Sequence, residues 1–167
     1  EDYVINHAFG GAPIYQMARE VFNERFTVDD KYATIAQAMI MGIQSAGIST
    51  YSPTLNDELT YLDVLIANSI PDFTSFGLLQ IDGPGCSNLT SWGEATMNDP
   101  LLSGETEISR NLDWENNLHL INNPLIIVWG EAEPNTQRFV TFGYPGMIGA
   151  LSGFNESGIA TFQNMGN

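Results

Sequence analysis

The sequence predicts an α+β fold in which a helical first part is followed by short antiparallel strands. Up to about residue 70, apolar residues recur at intervals of three and four, which is the period of an amphipathic helix. Beyond Pro71 the chain changes to short apolar runs separated by Gly, Pro and Asn, which is typical of strands and turns. Because 43% of the 167 residues are hydrophobic, the chain has enough apolar side chains to pack a core.

Two helices are predicted within residues 12–48, and a third is predicted over residues 56–68. Gly47 and the polar stretch that follows it end the first range, and Pro71 limits the extension of the second. The apolar stripes that predict these helices are Ile14, Met17, Ala18, Val21 and Phe22, then Tyr32, Ile35, Ala36, Met39, Ile40 and Ile43, and finally Leu59, Leu62, Leu65 and Ile66.

The second part of the chain is predicted to form strands joined by turns. The predicted strand runs are residues 76–81, 87–95, 106–111, 118–121, 125–131, 138–142 and 158–163. Between the last two runs, Gly146, Gly149 and Gly153 allow a close approach of the backbone. Since the sequence stops directly after a predicted strand, we expect the domain to be incomplete in this chain.

The charge balance excludes some partners. Twenty acidic residues against five basic ones give a net charge of -15, which opposes binding to nucleic acid and to anionic membranes. No apolar run is long enough to span a bilayer. Asn88 and Asn155 each begin a glycosylation-acceptor pattern, which favours an extracytoplasmic location, whether secreted, periplasmic or lysosome-like. Clustered His and Cys residues and a calcium-loop pattern are both missing, so no metal and no cofactor are expected.

Cys86 is the sole cysteine, so no internal disulfide is possible. One interpretation is a small buried hydrophobic residue. The other is a reactive thiol, because Cys86 follows a turn-forming Asp-Gly-Pro-Gly segment at 82–85 and opens a predicted strand. His7 and His119 are the two histidines, and neither has a neighbouring pattern that suggests a Cys-His pair. An α-amino group freed by cleavage before Cys86 has an ordinary pKa of about 7.7–8.0 and is an alternative base.

A second cluster of polar residues lies at 108–115. If this segment is extended, Arg110 and Leu112 point to one side of the strand, whereas Asn111 and Asp113 point to the other. Arg110 and Asp113 are either a weak surface ion pair on a hairpin or part of a site.

Taken together, these features resemble one family. Gly-Cys-Ser at 85–87, followed by a hairpin and by Arg-Asn-Leu-Asp-Trp-Glu at 110–115, is similar to the nucleophile strand and the next strand of cysteine N-terminal nucleophile (Ntn) hydrolases. The group includes choloylglycine hydrolases, penicillin V acylases, acid ceramidase-like amidases and acyl-CoA:6-aminopenicillanic acid acyltransferases. Residues 58–73, 144–149 and 153–159 resemble segments of the acyltransferase-like branch.

The resemblance implies roles for five residues. Cys86 would be the nucleophile, its own freed amine the general base, and Arg110 and Asp113 the residues that orient and polarise the thiol and the amine. Cleavage would occur at the junction between Gly85 and Cys86. In this family, an oxyanion-hole side chain lies near the end of a later strand, where Asn164 is the candidate.

The resemblance also implies a four-layer αββα sandwich. Residues 1–85 would be a helical pro-segment or α chain, and residues 86–167 would be the start of the catalytic β chain of the same domain. The expected partners are a small-molecule N-acyl amide substrate and the remainder of the catalytic domain, supplied by a second chain or a further C-terminal part. Such an enzyme uses no cofactor.

Two other interpretations stay open. The hairpin is longer than is usual for the group, with residues 97–104 as a predicted inserted loop, so the chain is alternatively an inactive relative that keeps the fold. The second is a secreted acidic binding module, in which Cys86 is buried and Trp92, Trp114 and Trp129 form an apolar ligand surface.

Overall fold

The structure, a computed structural model, describes residues 1–79, 85–113, 117–131 and 134–164. Within these ranges the fold is α+β, with helices first and antiparallel strands after them, as the sequence predicts. In the described residues, no helix is both long enough and apolar enough to cross a membrane.

The first part of the chain is mainly helical. Its elements are a π-helix at Asp2–Ala8, α1 at Ala12–Arg25, α2 at Asp30–Ser45, a two-stranded ribbon of β1 at Tyr51–Ser52 and β2 at Asp57–Glu58, α3 at Tyr61–Asn68 and a 3-10 helix at Ile70–Phe76. Pro13 lies in the first turn of α1, where its missing N–H leaves no hydrogen bond unmade. Asp29 caps α2 by accepting a hydrogen bond of 3.0 Å from the backbone N–H of Lys31.

The two helices predicted within residues 12–48 are present as α1 and α2, and the extended backbone of Phe26 separates them. One predicted helix boundary was wrong. The predicted helix 56–68 begins at Tyr61 instead, since Asp57 and Glu58 pair with β1 and a capping box formed by Thr60 and Asp63 starts α3.

The hydrophobic core of the described residues lies in this helical part. Its buried members are Ile5, Ala8, Phe9, Tyr15, Ala18, Phe22, Ala36, Leu55, Leu65, Ile66, Ile70, Phe73 and Leu78. Phe73 is central to an aromatic cluster, with its ring centroid 5.3 Å from that of Phe9 and 5.2 Å from that of Phe26. Ile148, from the second part of the chain, packs against this core.

The second part forms two antiparallel sheets. One is the hairpin of β3 at Gly85–Ser91 and β4 at Glu107–Asp113, and the other is a four-stranded meander of β5 at Leu125–Trp129, β6 at Phe139–Gly143, β7 at Ser152–Asn155 and β8 at Ala160–Phe162. The segment 97–104 between β3 and β4 consists of turns and a bend.

Four strand predictions need correction. The run 87–95 is a strand only as far as Ser91, and Gly93–Ala95 form a 3-10 helix. The run 118–121 is a short helix, α4 at Leu118–Ile121, because four apolar residues carry no periodicity that separates a helix from a strand. The start of the run 76–81 belongs to the 3-10 helix, and residues 80–81 lie outside the described residues. Strand β7 was not predicted as a strand because Gly153 interrupts its apolar pattern. A Cβ on Gly153 would lie 2.6 Å from the carbonyl oxygen of Val140, so the expected close backbone approach is present.

The two sheets face each other across an open cavity of about 810 Å³. Ile108, Arg110 and Leu112 line it from the hairpin, and Phe142 and Phe154 are among its lining residues on the four-stranded sheet. The alternation along β4 therefore places its even-numbered side chains toward the cavity, as strand periodicity requires.

Candidate functional site

Cys86 is the second residue of β3, and its thiol is free and half-buried. The binding-module interpretation requires a buried Cys86. Cys86 is not one of the fully buried core residues. Its Sγ atom accepts a hydrogen bond from Nη2 of Arg110 at a distance of 3.1 Å. The structure thus brings the predicted nucleophile and the predicted cation into direct contact.

Strand register explains this contact. Cys86 pairs with Leu112, and Asn88 pairs with Arg110, so all four side chains lie on one face of the hairpin. Cys86 and Arg110 are diagonal neighbours on that face, within reach of a long guanidinium side chain. This agrees with the predicted placement of Arg110 and Leu112 on the same side of the strand.

Arg110 is held from a second direction as well. The same Nη2 atom donates a hydrogen bond of 2.9 Å to the backbone carbonyl of Gln163, just after β8. Its Nε atom is buried and has no hydrogen-bond partner among the described residues. An unpaired buried donor costs about 1–3 kcal/mol, so this N–H is available for an acceptor that binds in the cavity.

Asp113 lies beside the predicted cleavage junction. It pairs with Gly85 in the hairpin register, on the face opposite to the Cys86 side chain. A Cβ built on Gly85 would lie 3.4 Å from the Cβ of Asp113 and 3.9 Å from its Oδ2. Asn111 donates a short side-chain hydrogen bond to Oδ1 of Asp113, which fixes the direction of the carboxylate.

Asn164 also reaches the hairpin. Its Nδ2 atom donates a hydrogen bond of 2.8 Å to Oδ1 of Asn88, which is two residues from Cys86 on the same face. The predicted oxyanion-hole residue is therefore near the nucleophile strand, although its amide is engaged with Asn88. The segment 82–84 that precedes the junction lies outside the described residues.

Sequence reasoning missed three contributors: Asn88, Asn111 and Gln163. Asn88 has a sequence signal, since antiparallel pairing brings it opposite Arg110 once the hairpin register is known. Asn111 was assigned to the Asp113 side of the strand, and its contact with that carboxylate follows from the same alternation. Gln163 contributes its backbone carbonyl, for which a side-chain pattern gives no signal.

The histidines and tryptophans occupy other places. His7 lies on the N-terminal π-helix with its ring centroid 5.9 Å from that of Tyr3, and His119 belongs to α4, not to a strand. Trp92 is 64% exposed at the end of the hairpin strand, whereas Trp129 donates a hydrogen bond to Thr141 within the four-stranded sheet. Trp114 lies outside the described residues. Among the described residues, no cluster of His, Cys, Asp and Glu is arranged to hold a metal ion.

A separate buried cluster fixes the helices behind the site. Asp63 on α3 is 7% exposed and accepts hydrogen bonds from Nε and Nη2 of Arg19, both at 2.8 Å. It also accepts a bond of 2.9 Å from the hydroxyl of Tyr15. Burial, followed by the charge of Asp63, raises the pKa of Tyr15 well above its ordinary value. Burial alone would lower the pKa of Arg19, but its bonds to Asp63 and Asp57 raise it overall.

Comparison with known proteins gives a limited result. No family model matches the chain, and no solved structure matches it. The chain is similar to Protein dcd1B of Dictyostelium discoideum, with 35% identity over 71 residues. The aligned part covers 42% of this chain and 13% of the relative, so this chain spans a small part of that protein.

Proposed function

We propose that the chain is part of a self-processing cysteine Ntn hydrolase that cleaves linear amide bonds through a thioester on Cys86. The observation that supports this proposal most directly is the contact of 3.1 Å between Arg110 Nη2 and Cys86 Sγ. It occurs at the start of a strand, where the backbone before Cys86 pairs with the residue that carries the Asp113 carboxylate. Transfer of the same acyl group to an amine is the alternative outcome of the same intermediate.

The first reaction is cleavage of the chain at Gly85–Cys86. Cys86 Sγ attacks the carbonyl carbon of Gly85, a C–S bond forms, and the peptide C–N bond breaks as the thiol proton passes to the new amine. Water then attacks the thioester, which breaks the C–S bond and leaves a carboxylate on Gly85 and a thiol on Cys86. Residues 1–85 would become the α chain, and the β chain would begin at Cys86.

Turnover repeats this chemistry on an N-acyl amide. Cys86 Sγ attacks the substrate carbonyl, and its α-amino group accepts the thiol proton and passes it to the leaving nitrogen. Water or an acceptor amine then takes the acyl group from the thioester and restores the thiol. These steps require no metal and no organic cofactor.

The neighbouring side chains suit this chemistry. The guanidinium of Arg110 contacts the sulfur that would attack the carbonyl, and Arg110 is held in place by the carbonyl of Gln163. We assign the carboxylate of Asp113, which lies beside Gly85, as the acceptor of a hydrogen bond from the freed amine of Cys86, a bond that would orient the base. We assign Asn164 as a donor to the tetrahedral oxyanion once it exchanges its bond to Asn88 for the substrate.

The proposal includes the αββα sandwich and a further segment that completes it. Helices followed by two antiparallel sheets are compatible with part of such a sandwich. The four-stranded sheet carries strongly exposed apolar residues, with Ile126 63% and Val128 74% exposed. Exposed apolar surface of this kind is typical of a surface that a further protein segment covers. We therefore include the remainder of the catalytic domain among the partners, beside a small-molecule N-acyl amide.

Trapping the acyl-enzyme tests the proposal. The protein is mixed with an N-acyl amide and quenched in acid, and the mass of the Cys86 peptide is measured. We expect a mass increase equal to the acyl group at Cys86, which is lost in Cys86→Ala and much reduced in Arg110→Lys. Arg138→Lys is the matched control, because Arg138 is exposed and pairs with Glu156. Acylation that persists in Cys86→Ala, or that is equally fast in Arg110→Lys and Arg138→Lys, would contradict the proposed roles.

A further inference from the structure

We propose that a second cavity, of about 330 Å³, binds the apolar acyl chain of the substrate. This inference rests on the proposed function for its chemistry, but the cavity itself can be tested by binding alone. It lies between the helical part of the chain and the loop 144–151, and it shares Tyr144 and Leu151 with the larger cavity between the sheets. Its volume is in the range of about 300–1,000 Å³ that small-molecule sites occupy.

The walls of this cavity come from both sides of the proposed cleavage junction. Ile40, Val64 and Ala67 contribute from α2 and α3, while Met147 and Leu151 contribute from the loop before β7. The cavity is therefore complete only when the two pieces that cleavage would produce stay together. It would be lost if they separated.

Asn68 joins the two sides at the cavity wall. Its Nδ2 donates to the carbonyl of Gly146 at 2.9 Å and to that of Val64 at 2.8 Å. Its Oδ1 accepts a hydrogen bond of 2.6 Å from the backbone N–H of Ile148. One side chain thus fixes the loop to α3 from both its donor and its acceptor ends, which holds the cavity open at a defined width.

The lining favours a neutral apolar ligand. Most of the lining is aliphatic or aromatic, and the buried carboxylate of Asp63 is already saturated by Tyr15, Arg19 and Thr60. The remaining carboxylates in the lining, Glu1 and Asp72, are exposed. They would repel an anionic ligand such as a free fatty acid, whereas an acyl group in amide linkage carries no charge.

The cavity connects to the thiol through one residue. Gln163 lines the cavity, and its backbone carbonyl accepts the hydrogen bond from Arg110 Nη2 that also reaches Cys86 Sγ. An acyl chain in this cavity would lie beside Gln163, whose carbonyl holds the guanidinium. This placement selects the acyl side of the amide, since that side becomes attached to sulfur.

A chain-length series tests the assignment. The probes are 7-amino-4-methylcoumarin amides of acetic, butanoic, hexanoic and octanoic acid, and their affinity for Cys86→Ala is measured by titration calorimetry. This variant cannot turn them over. We expect affinity to rise about fourfold per methylene, the factor that corresponds to about 0.8 kcal/mol of apolar burial. An affinity that is the same for the acetyl and octanoyl amides would overturn the proposal.

A substitution that fills the cavity is the second test of the assignment. Gly149 lines the cavity, and a Cβ there meets nothing within 4 Å, so we expect Gly149→Leu to extend a side chain into it. We expect this change, in the Cys86→Ala background, to weaken octanoyl binding at least tenfold and to leave acetyl binding unchanged. Gly130→Leu is the matched control, because Gly130 is also unobstructed. Octanoyl affinity that Gly149→Leu leaves unchanged would refute the assignment.

Two further comparisons make the outcome decisive. If Gly149→Leu does not fold, Ala67→Phe replaces it, with the exposed Ala38→Phe on α2 as its control. Chain-length-dependent binding without hydrolysis by the Cys86 protein would contradict the proposed enzyme and support the cavity as an apolar binding site. Hydrolysis whose kcat/KM does not depend on chain length would contradict the cavity assignment and leave the enzyme.

Discussion

Replacing Asp63 with Asn is expected to cost a large part of the stability of the helical half. The two oxygens of Asp63 accept five hydrogen bonds, from Tyr15, from Arg19 twice and from Thr60 twice. Whichever oxygen becomes an NH2 group then faces donors, and the half-buried guanidinium of Arg19 keeps only its exposed partner, Asp57. Breaking a buried ion pair on one side costs about 3–5 kcal/mol.

The assay is urea unfolding followed by circular dichroism, in a Cys86→Ala background so that a single uncut chain unfolds. With a urea slope of about 2 kcal/mol per molar, the expected loss corresponds to a midpoint lower by about 1.5–2.5 M. Asp57→Asn is the matched control, because Asp57 also contacts Arg19, at 3.1 Å, but its side chain is 59% exposed. Equal midpoints for Asp63→Asn and Asp57→Asn would refute the claim that burial makes the Asp63 pair important.

Three further outcomes follow from individual contacts. Hydrogen bonds from Arg19 and from a backbone N–H lower the pKa of Asp57 from its ordinary 3.8, so its contribution to stability is present above that pH and is lost as the pH falls through the lower folded value. Asp57→Asn should therefore flatten the acid limb of the unfolding free energy against pH; an unchanged limb would contradict this. Gly153→Ala should lower the urea midpoint, because the added Cβ clashes with the Val140 carbonyl at a cost of about 1–3 kcal/mol. Gly149→Ala is the control and should leave the midpoint unchanged. Equal midpoints for the two variants would contradict the close approach of the backbone at Gly153. Asn68→Asp places an oxygen against the carbonyls of Val64 and Gly146. In gel filtration of the cleaved protein in urea, the two pieces should therefore separate at a lower urea concentration than they do in the parent. Co-elution that the substitution leaves unchanged would contradict this role of Asn68.

The helical half could be predicted well from its periodicity, but its boundaries could not. The apolar stripes at 14–22 and 32–43 predict two helices, but they do not give the residue at which the first ends or the second begins. The extended backbone of Phe26 and the cap at Asp29 set those boundaries. The run 118–121 failed for a different reason, since four residues are too few to show a period.

The candidate site was predictable where it follows from strand alternation. Spacing along β4 placed Arg110 and Asp113 on opposite faces, and pairing with β3 then places Arg110 beside Cys86. The contact with Gln163 joins two sheets that are far apart in sequence and uses a main-chain atom, so sequence carries no trace of it. The hydrogen bonds that Asp63 accepts from Tyr15 and Arg19 on α1 could not be predicted either, because tertiary packing brings α1 to Asp63 and Thr60.

The central claim is that Cys86 cuts its own chain, and the intact mass of the purified protein under denaturing conditions tests it most directly. The account predicts two pieces that break between Gly85 and Cys86 in the parent protein and one uncut chain in Cys86→Ala. A single uncut chain in both proteins, after prolonged incubation at several pH values, would contradict it.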